Sequence, residues 1–224
     1  MHFILRKELR PGMENYRKII SQQYPNVILR VVPGHFVTPN SHVNYYVDMT
    51  AVKSRTNEAR WAAEALSAVH YFTTPVDTIV AIDGTEIIAA YLAEELTRAG
   101  VISKNLHKSI YVLPPEYAPG GQMIFRENIQ PWIRGKNVLV LLASVTTGHT
   151  ITRIIESLKY YGAEISGLSA VFSIATAAAG LPIYSIFTQK DLPDYSSHSP
   201  ENCPLCKAGV PIDGICNAFG VASL

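Results

Sequence analysis

The sequence predicts an α/β fold, with a mostly parallel sheet flanked by helices, and three features indicate it. Apolar strand-like runs alternate with helical runs through most of the 224 residues, as in parallel sheets with right-handed crossovers. The chain is 48% hydrophobic and 17% charged, the composition of a globular protein with a large core. A strand, a turn of small residues and a helix follow one another over residues 137–162.

We expect a single domain over residues 1–224. It is expected to consist of an N-terminal helix and hood hairpin (1–50), an α/β core (51–190), and a C-terminal tail with a Cys-x-x-Cys pair (191–224), which is a separate small element. Internal repeats are not evident.

Composition excludes several classes of function. A net charge of +1 without Lys or Arg clusters gives no electrostatic basis for nucleic-acid binding. The start, MHFILRKELRPG, has too short an apolar run for a secretory signal, so we expect a cytoplasmic protein with reduced thiols.

Residues 165–189 are uncharged and long enough to span a bilayer, but Gly167, Gly180 and Pro182 interrupt them. We interpret them as strand, short helix and strand, and expect no membrane association.

The elements of the first half follow from local patterns. Residues 11–24 favour a helix that begins near Pro11, and the β-branched and aromatic residues 43–49 favour a strand. Residues 85–100 place Ile88, Leu92 and Leu96 on one helical face, with Gly100 as a stop signal. The remaining predictions are a helix at 57–72 and strands at 76–82 and 109–113.

The second half begins with a stretch rich in Pro, Gly and polar residues (114–136), whose length predicts a functional or mobile segment. A strand at Val138–Leu142 follows. The next helix carries an apolar face and ends at Gly162. That face consists of Ile151, Ile154, Ile155 and Leu158.

The turn between that strand and its helix is a candidate phosphate site. Its small residues and Gly148 allow backbone N–H groups to converge at the positive end of the helix dipole, and threonine hydroxyls add donors. The alternative is that Thr146 or Thr147 simply caps the helix. Neither a Gly-Lys-Ser/Thr loop nor a G-x-G-x-x-G spacing is present. The candidate residues are Ser144, Val145, Thr146, Thr147, Gly148, His149 and Thr150.

The stretch VLVLLASVTTGHTITRIIESLKYYGAEISGLSAVFS (138–173) resembles the phosphoribosyl-pyrophosphate motif of type I phosphoribosyltransferases. Its continuation YYGAEISGLSAVF is similar to orotate phosphoribosyltransferases in particular. Residues 34–49 resemble the substrate hairpin of that enzyme, 77–96 its pyrophosphate-loop strand and helix, and 203–212 a C-terminal motif of some members. The resemblance covers most of the chain in order and implies a type I phosphoribosyltransferase-like fold.

Four departures from the family pattern concern catalysis. The acidic pair that binds the ribose hydroxyls in the family falls on Leu142 and Ala143. The glycine-rich pyrophosphate loop corresponds to Asp83, Gly84, Thr85 and Glu86, where carboxylates would repel pyrophosphate unless Mg²⁺ intervenes. The Arg-Lys that opens the catalytic loop corresponds to Leu113-Pro114. The hairpin's Lys and Ser-Gly appear as Thr38, Pro39 and Asn40.

The function implied is binding of a 5′-phosphate at Thr146–Thr150, from phosphoribosyl pyrophosphate, a ribose phosphate or a nucleotide monophosphate, with transferase catalysis impaired. The alternative is an active phosphoribosyltransferase of pyrimidine or nucleotide metabolism, which would act on orotate or another base with a rebuilt ribose site and would use Mg²⁺. A third hypothesis is a structural or partner-binding role with a relic pocket. The resemblance also implies a homodimer.

Further candidate groups have alternative interpretations. Cys203 and Cys206 form one half of a zinc knuckle, which Cys216 and His198 could complete; otherwise the cysteines are small buried hydrophobes. His149 either donates a hydrogen bond to phosphate or is an ordinary polar residue of a first helical turn. Asp83 and Glu86 either hold Mg²⁺ or make local hydrogen bonds at a helix start.

Overall fold

The structure is a computed structural model. It describes residues 15–98, 104–105, 109–119, 121–146 and 148–224, and of His149 it describes the backbone. The predicted Gly100 helix stop, residues 11–14 of the predicted N-terminal helix, and Thr147 lie outside the described residues.

Short strands and helices make up most of the described part of the chain. The strands, in chain order, are β1 (Arg17–Ile20), β2 (Ile28–Val37), β3 (His42–Asp48), β4 (Thr78–Ala81), β5 (Tyr111–Leu113), β6 (Glu116–Tyr117), β7 (Met123–Ile124), β8 (Asn137–Val145), β9 (Glu164–Ser173), β10 (Ala177–Ala178), β11 (Leu181–Thr188), β12 (Ser197–His198), β13 (Gly214–Asn217) and β14 (Gly220–Ser223). The helices are α1 (Thr50–Ser54), α2 (Thr56–Ser67), α3 (Glu86–Arg98), α4 (His149–Tyr160) and α5 (Pro204–Lys207), with 3₁₀ turns at Gln130–Trp132 and Pro200–Asn202.

The central sheet confirms the predicted α/β class. Its strand order is β10-β11-β9-β8-β4-β5, and every neighbouring pair is parallel except β10 with β11. From β4 the chain crosses through α3 to β5 on one side, whereas β8 and the strands after it lie on the other side. The carboxyl ends of β4 and β8 therefore flank a topological switch point, where open α/β sheets bind ligands.

Helices cover both faces of this sheet. Alternate residues of β8 point to opposite faces, as the pleat requires: Leu139 and Leu141 belong to the core cluster shared with α2 and α3, and Val140 belongs to the cluster shared with α4. The predicted apolar face of α4 is buried in that second cluster. Gly162 ends the helix with a left-handed φ of 81°, which only glycine adopts at little cost.

The hood is a second sheet, and it corrects two predictions. Its order is β12-β3-β2-β13-β14, with β1 paired to β2. The tail is therefore not a separate element, because β13 runs parallel to β2 and β12 pairs antiparallel with β3. The predicted helix at 11–24 is wrong over its described part. Arg17–Ile20 pair backbone to backbone with Ile28–Val31, and this pairing overrides the local helical pattern.

The predicted short helix inside 165–189 is also wrong. Strand β9 runs without a break to Ser173, and the alanine-rich middle forms the tight β10–β11 hairpin. Ala179 and Gly180 have φ values of 47° and 79°, as two-residue hairpin turns require. Among the described residues, no helix is long and apolar enough to cross a membrane.

Candidate functional site

A cavity of about 730 Å³ lies at the switch point, between the carboxyl ends of β4 and β8 and beneath the hood. The hairpin tip, residues 38–41, forms its roof. The segment after β4, the turn before α4 and the end of α1 form its floor and sides, and residues 216–220 of the tail close it.

The predicted phosphate turn faces this cavity. Ser144, Val145, Thr146, Gly148 and Thr150 all line it. The cap position of the 12-residue helix α4 is Gly148, with a φ of 75°, so no threonine occupies the cap. The positive end of the helix dipole thus points toward the cavity. Thr147 and the His149 side chain lie outside the described part of the chain.

The hairpin tip is fixed over the turn by hydrogen bonds. Within the tip, the Thr38 backbone N–H and hydroxyl both donate to the Ser41 carbonyl, at 2.8 and 2.9 Å. Across the cavity, Asn40 Nδ2 donates to Thr150 Oγ1 at 3.2 Å. The hood and the phosphate turn are therefore in direct contact, and a ligand at the turn lies beneath the tip.

The segment after β4 brings three of its four predicted residues to the cavity. Asp83, Gly84 and Glu86 line it, and Asp83 and Gly84 have left-handed φ values of 59° and 79°. Thr85 does not face the cavity. It is fully buried, and its hydroxyl donates to the carbonyls of Ile82 (2.9 Å) and Leu141 (3.2 Å), so it ties β4 to β8.

Lys53, at the end of α1, is a site residue that the sequence did not predict. Its ammonium donates to the carbonyls of Asp83 (2.8 Å) and Ala218 (2.6 Å). Among the described residues that line the cavity it is the one basic side chain, and Asp83 and Glu86 are the acidic ones. No local pattern marks this lysine, since its partners lie 30 and 165 residues away.

Burial and charge act in opposite directions on this group. Burial lowers the pKa of Lys53, and the charges of Asp83 and Glu86 oppose that shift. Burial raises the pKa of the Asp83 carboxyl, and the Lys53 charge opposes it only in part. Lys53 therefore compensates part of the carboxylate repulsion that the sequence predicted for an anion bound here.

The end of β8 presents apolar groups to the cavity. Leu142 and Ala143 both line it and are 1% and 5% exposed. The first polar side chain after them is Ser144. A sugar diol placed against these two residues finds no side-chain acceptor on them.

The segment after β5 offers no free basic group to the cavity among its described residues. Glu116–Tyr117 pair antiparallel with Met123–Ile124 as the small β6–β7 hairpin. Arg126, the first basic residue after β5, makes a bidentate pair with Glu116 at 2.8 and 2.5 Å and does not line the cavity. Pro114, Pro115 and Tyr117 line the cavity instead.

The predicted metal ligands are placed only in part as expected. Cys203 and Cys206 lie together, but the side chains beside them are His35 and His42 of the hood hairpin. Cys216 and His198 are not part of this group. Cys216 is buried on β13, where burial raises the pKa of its thiol to about 11. Sequence reasoning missed both histidines because more than 160 residues separate them from the cysteines.

Comparison with known proteins identifies relatives along most of the chain. An orotate phosphoribosyltransferase of Chlorobium phaeobacteroides is 29% identical over 188 residues, which are 82% of this chain and 87% of that one. An orotate phosphoribosyltransferase of Thermotoga maritima is 37% identical over 81 residues, or 35% of this chain and 41% of that one. No family model matches the sequence.

Among solved structures, the orotate phosphoribosyltransferase of Aeropyrum pernix superposes with a TM-score of 0.51 and 19% identity. The match covers 80% of this chain and 92% of that one. At this identity the likeness concerns the fold alone. The chain is thus similar in sequence to orotate phosphoribosyltransferases over most of its length, and it shares the fold of one of them.

Proposed function

We propose that the chain binds the 5′-phosphate of a sugar phosphate or nucleotide at Thr146–Thr150 and that phosphoribosyl transfer is impaired. One observation carries this proposal: a helix N-terminus with hydroxyl side chains and a glycine cap faces the cavity beside an apolar Leu142–Ala143 pair. The first feature favours a phosphate dianion. The second removes the acceptors that a ribose diol needs.

The free energies of the missing interactions with ribose and pyrophosphate favour phosphate binding over catalytic turnover. A hydrogen bond to a charged group contributes about 1.5–3 kcal/mol, so losing both acidic partners weakens ribose binding by a few orders of magnitude. Departure of pyrophosphate also needs nearby positive charge. Lys53 alone supplies it among the described lining residues, and Asp83 and Glu86 flank that lysine.

A second candidate function is an active phosphoribosyltransferase, for which Asp83 and Glu86 provide the specific support. Their carboxylates are oxygen donors of the kind that Mg²⁺ prefers, and they line the cavity beside the phosphate turn. A bound Mg²⁺ would neutralise pyrophosphate charge there. This candidate predicts Mg²⁺-dependent pyrophosphate release, which the first does not. Both predict the homodimer implied by the family resemblance.

A thermal-shift panel tests the binding step. The ligands are phosphoribosyl pyrophosphate with Mg²⁺, ribose 5-phosphate, inorganic phosphate and the common nucleoside monophosphates. A ligand at a hundred times its dissociation constant adds about 2.7 kcal/mol of stability. We expect a sugar phosphate or nucleotide to stabilise the protein more than phosphate does.

The double variant Thr146→Val, Thr150→Val should lose that stabilisation, because it removes two hydroxyl donors from the turn. The matched control is Thr97→Val on α3, whose hydroxyl bonds, within the described part of the chain, to the carbonyls of Ala93 and Glu94 and does not line the cavity. An unchanged ligand response in the double variant would show that the turn is not the phosphate site.

A further inference from the structure

Four metal-ligating side chains converge where the hood hairpin meets the tail. The ligand atoms of His35, His42, Cys203 and Cys206 all lie within 4.8 Å of one another. The histidines come from β2 and from the start of β3; Cys203 directly precedes the short helix α5, and Cys206 lies within it. His35 and Cys203 are each 1% exposed, so the group lies mostly inside the protein.

The separations of these atoms match the edges of a zinc tetrahedron. With Zn–N of about 2.05 Å and Zn–S of about 2.3 Å, tetrahedral angles place two nitrogens about 3.3 Å apart and a nitrogen about 3.5 Å from a sulfur. His35 Nε2 and His42 Nδ1 are 3.1 Å apart. The nitrogen–sulfur distances are 3.5 Å for His35–Cys203, 3.6 Å for His35–Cys206 and 3.2 Å for His42–Cys206.

The surroundings orient the first histidine as a ligand. His35 Nδ1 lies 2.9 Å from the Val210 carbonyl, which can only accept a hydrogen bond. Nδ1 therefore carries the proton, and the lone pair of Nε2 points into the group. Metal-binding histidines usually have such a carbonyl or carboxylate partner. The His35 backbone N–H also donates to Asp213 Oδ2 at 2.8 Å, which fixes this part of β2.

The cysteine segment folds as a compact turn around its two thiols. The backbone N–H of Lys207 donates to the Cys203 carbonyl at 3.2 Å, and that of Gly209 donates to the Cys206 carbonyl at 3.0 Å. Gly209 has a left-handed φ of 69°, which reverses the chain after the second cysteine. Both thiols consequently face the hairpin.

We propose that His35, His42, Cys203 and Cys206 bind one Zn²⁺ in a closed structural site. Two thiolates and two neutral imidazoles form a Cys₂His₂ set of the kind that holds tetrahedral zinc. The thiolate charges neutralise the ion within a largely buried site. Because the four protein ligands complete the tetrahedron, no position remains for water, so the metal has no catalytic role.

The ion would clamp the roof of the cavity. His42 directly follows Ser41 of the hairpin tip, and the tip contacts Thr150 through Asn40. Zinc ties this hairpin to a tail whose residues 216–220 line the same cavity. Metal loss is expected to loosen the hood and weaken ligand binding, without removing any group of the phosphate turn.

Metal content and cobalt spectroscopy of the full chain test the site. We expect roughly one zinc per chain by elemental mass spectrometry after gel filtration in metal-free buffer. Co²⁺ added to chelator-stripped protein should give the intense visible bands of a tetrahedral site and a thiolate-to-cobalt charge-transfer band. The thermal unfolding midpoint should rise when zinc is returned.

Cysteine variants assign the ligands. Cys206 is exposed, so Cys206→Ser should fold and yet lose zinc and the charge-transfer band. Cys216→Ser is the matched control and should retain both. Stripped wild-type protein that takes up neither Zn²⁺ nor Co²⁺ would overturn the proposal. So would equal metal loss in the Cys216→Ser control, or a Cys203–Cys206 disulfide in freshly purified protein.

Discussion

Asp83 combines a left-handed backbone with a carboxyl group that burial makes difficult to ionise. Its φ is 59°, a conformation that asparagine and aspartate tolerate better than other non-glycine residues. Its pKa is raised by burial despite the charge of Lys53. The folded state therefore binds this proton more tightly than the unfolded state. The resulting stability is fully present below the unfolded pKa and is lost as pH rises through the folded pKa.

Asp83→Asn is expected to stabilise the protein at neutral pH. Asparagine keeps the backbone conformation and removes the cost of a buried carboxylate. The gain in the free energy of unfolding should shrink as pH falls below the folded pKa, where the carboxyl is already neutral. Urea unfolding of variant and parent at neutral and acidic pH measures this. A gain that grows toward acidic pH would contradict the raised pKa.

The residues that line the cavity were predictable from the sequence where they lie on one continuous motif. The turn Ser144–Thr150 follows from strand, glycine and helix signals within a dozen residues. Lys53, His35 and His42 carry no such signal, because their partners after β4 and on the tail lie between 30 and 171 residues away in the sequence. Thr85 was misassigned for the opposite reason: its neighbours in sequence face the cavity, whereas its own hydroxyl bonds to the sheet.

At the scale of elements, the carboxyl end of β8 is where the resemblance to phosphoribosyltransferases predicts a departure from the family pattern. Ala143 is buried at the cavity wall, where an aspartate would restore one acceptor for the ribose diol. Leu142 packs in the core cluster beneath α4, so a charge there would disrupt packing. A single change at Ala143 is therefore the cleaner probe.

Ala143→Asp should bind phosphoribosyl pyrophosphate with Mg²⁺ at least tenfold more tightly than the parent, because charge-assisted hydrogen bonds contribute about 1.5–3 kcal/mol. Ala143→Asn is the isosteric control and should fall between the two, since neutral bonds contribute about 0.5–1.5 kcal/mol. Titration calorimetry gives all three affinities. Equal affinities would mean that Ala143 does not face the ribose.

Helices and strands were predictable from the sequence where their apolar residues recur at the regular spacing of a helix or a strand. Helix α4 has a continuous apolar stripe, and the structure buries that stripe as expected. The alanine-rich residues 174–180 resemble a helix in composition. They connect the parallel neighbours β9 and β11, however, and Ala177–Ala178 pair as β10 with the start of β11. Arg17–Ile20 have helical propensity, yet their backbone groups pair with β2.

At the scale of the whole molecule, the hood sheet decides how the site is enclosed. Strands from both ends of the chain build it, with β13 beside β2 and β12 beside β3. Local patterns could not show this pairing, because the partners are 178 residues apart for β13 with β2 and 154 to 156 residues apart for β12 with β3. The α/β class of the core was predictable, since each of its strands and helices carries its own signal.

The measurement that tests the central claim most directly is pyrophosphate release from phosphoribosyl pyrophosphate with Mg²⁺ and orotate, at concentrations that calorimetry shows to saturate the site. We predict saturable binding with release no faster than in a blank without protein. Release at an enzymatic turnover number, on the order of 1 s⁻¹ or more, would contradict impaired catalysis. It would instead support the alternative, an active phosphoribosyltransferase with a rebuilt ribose site.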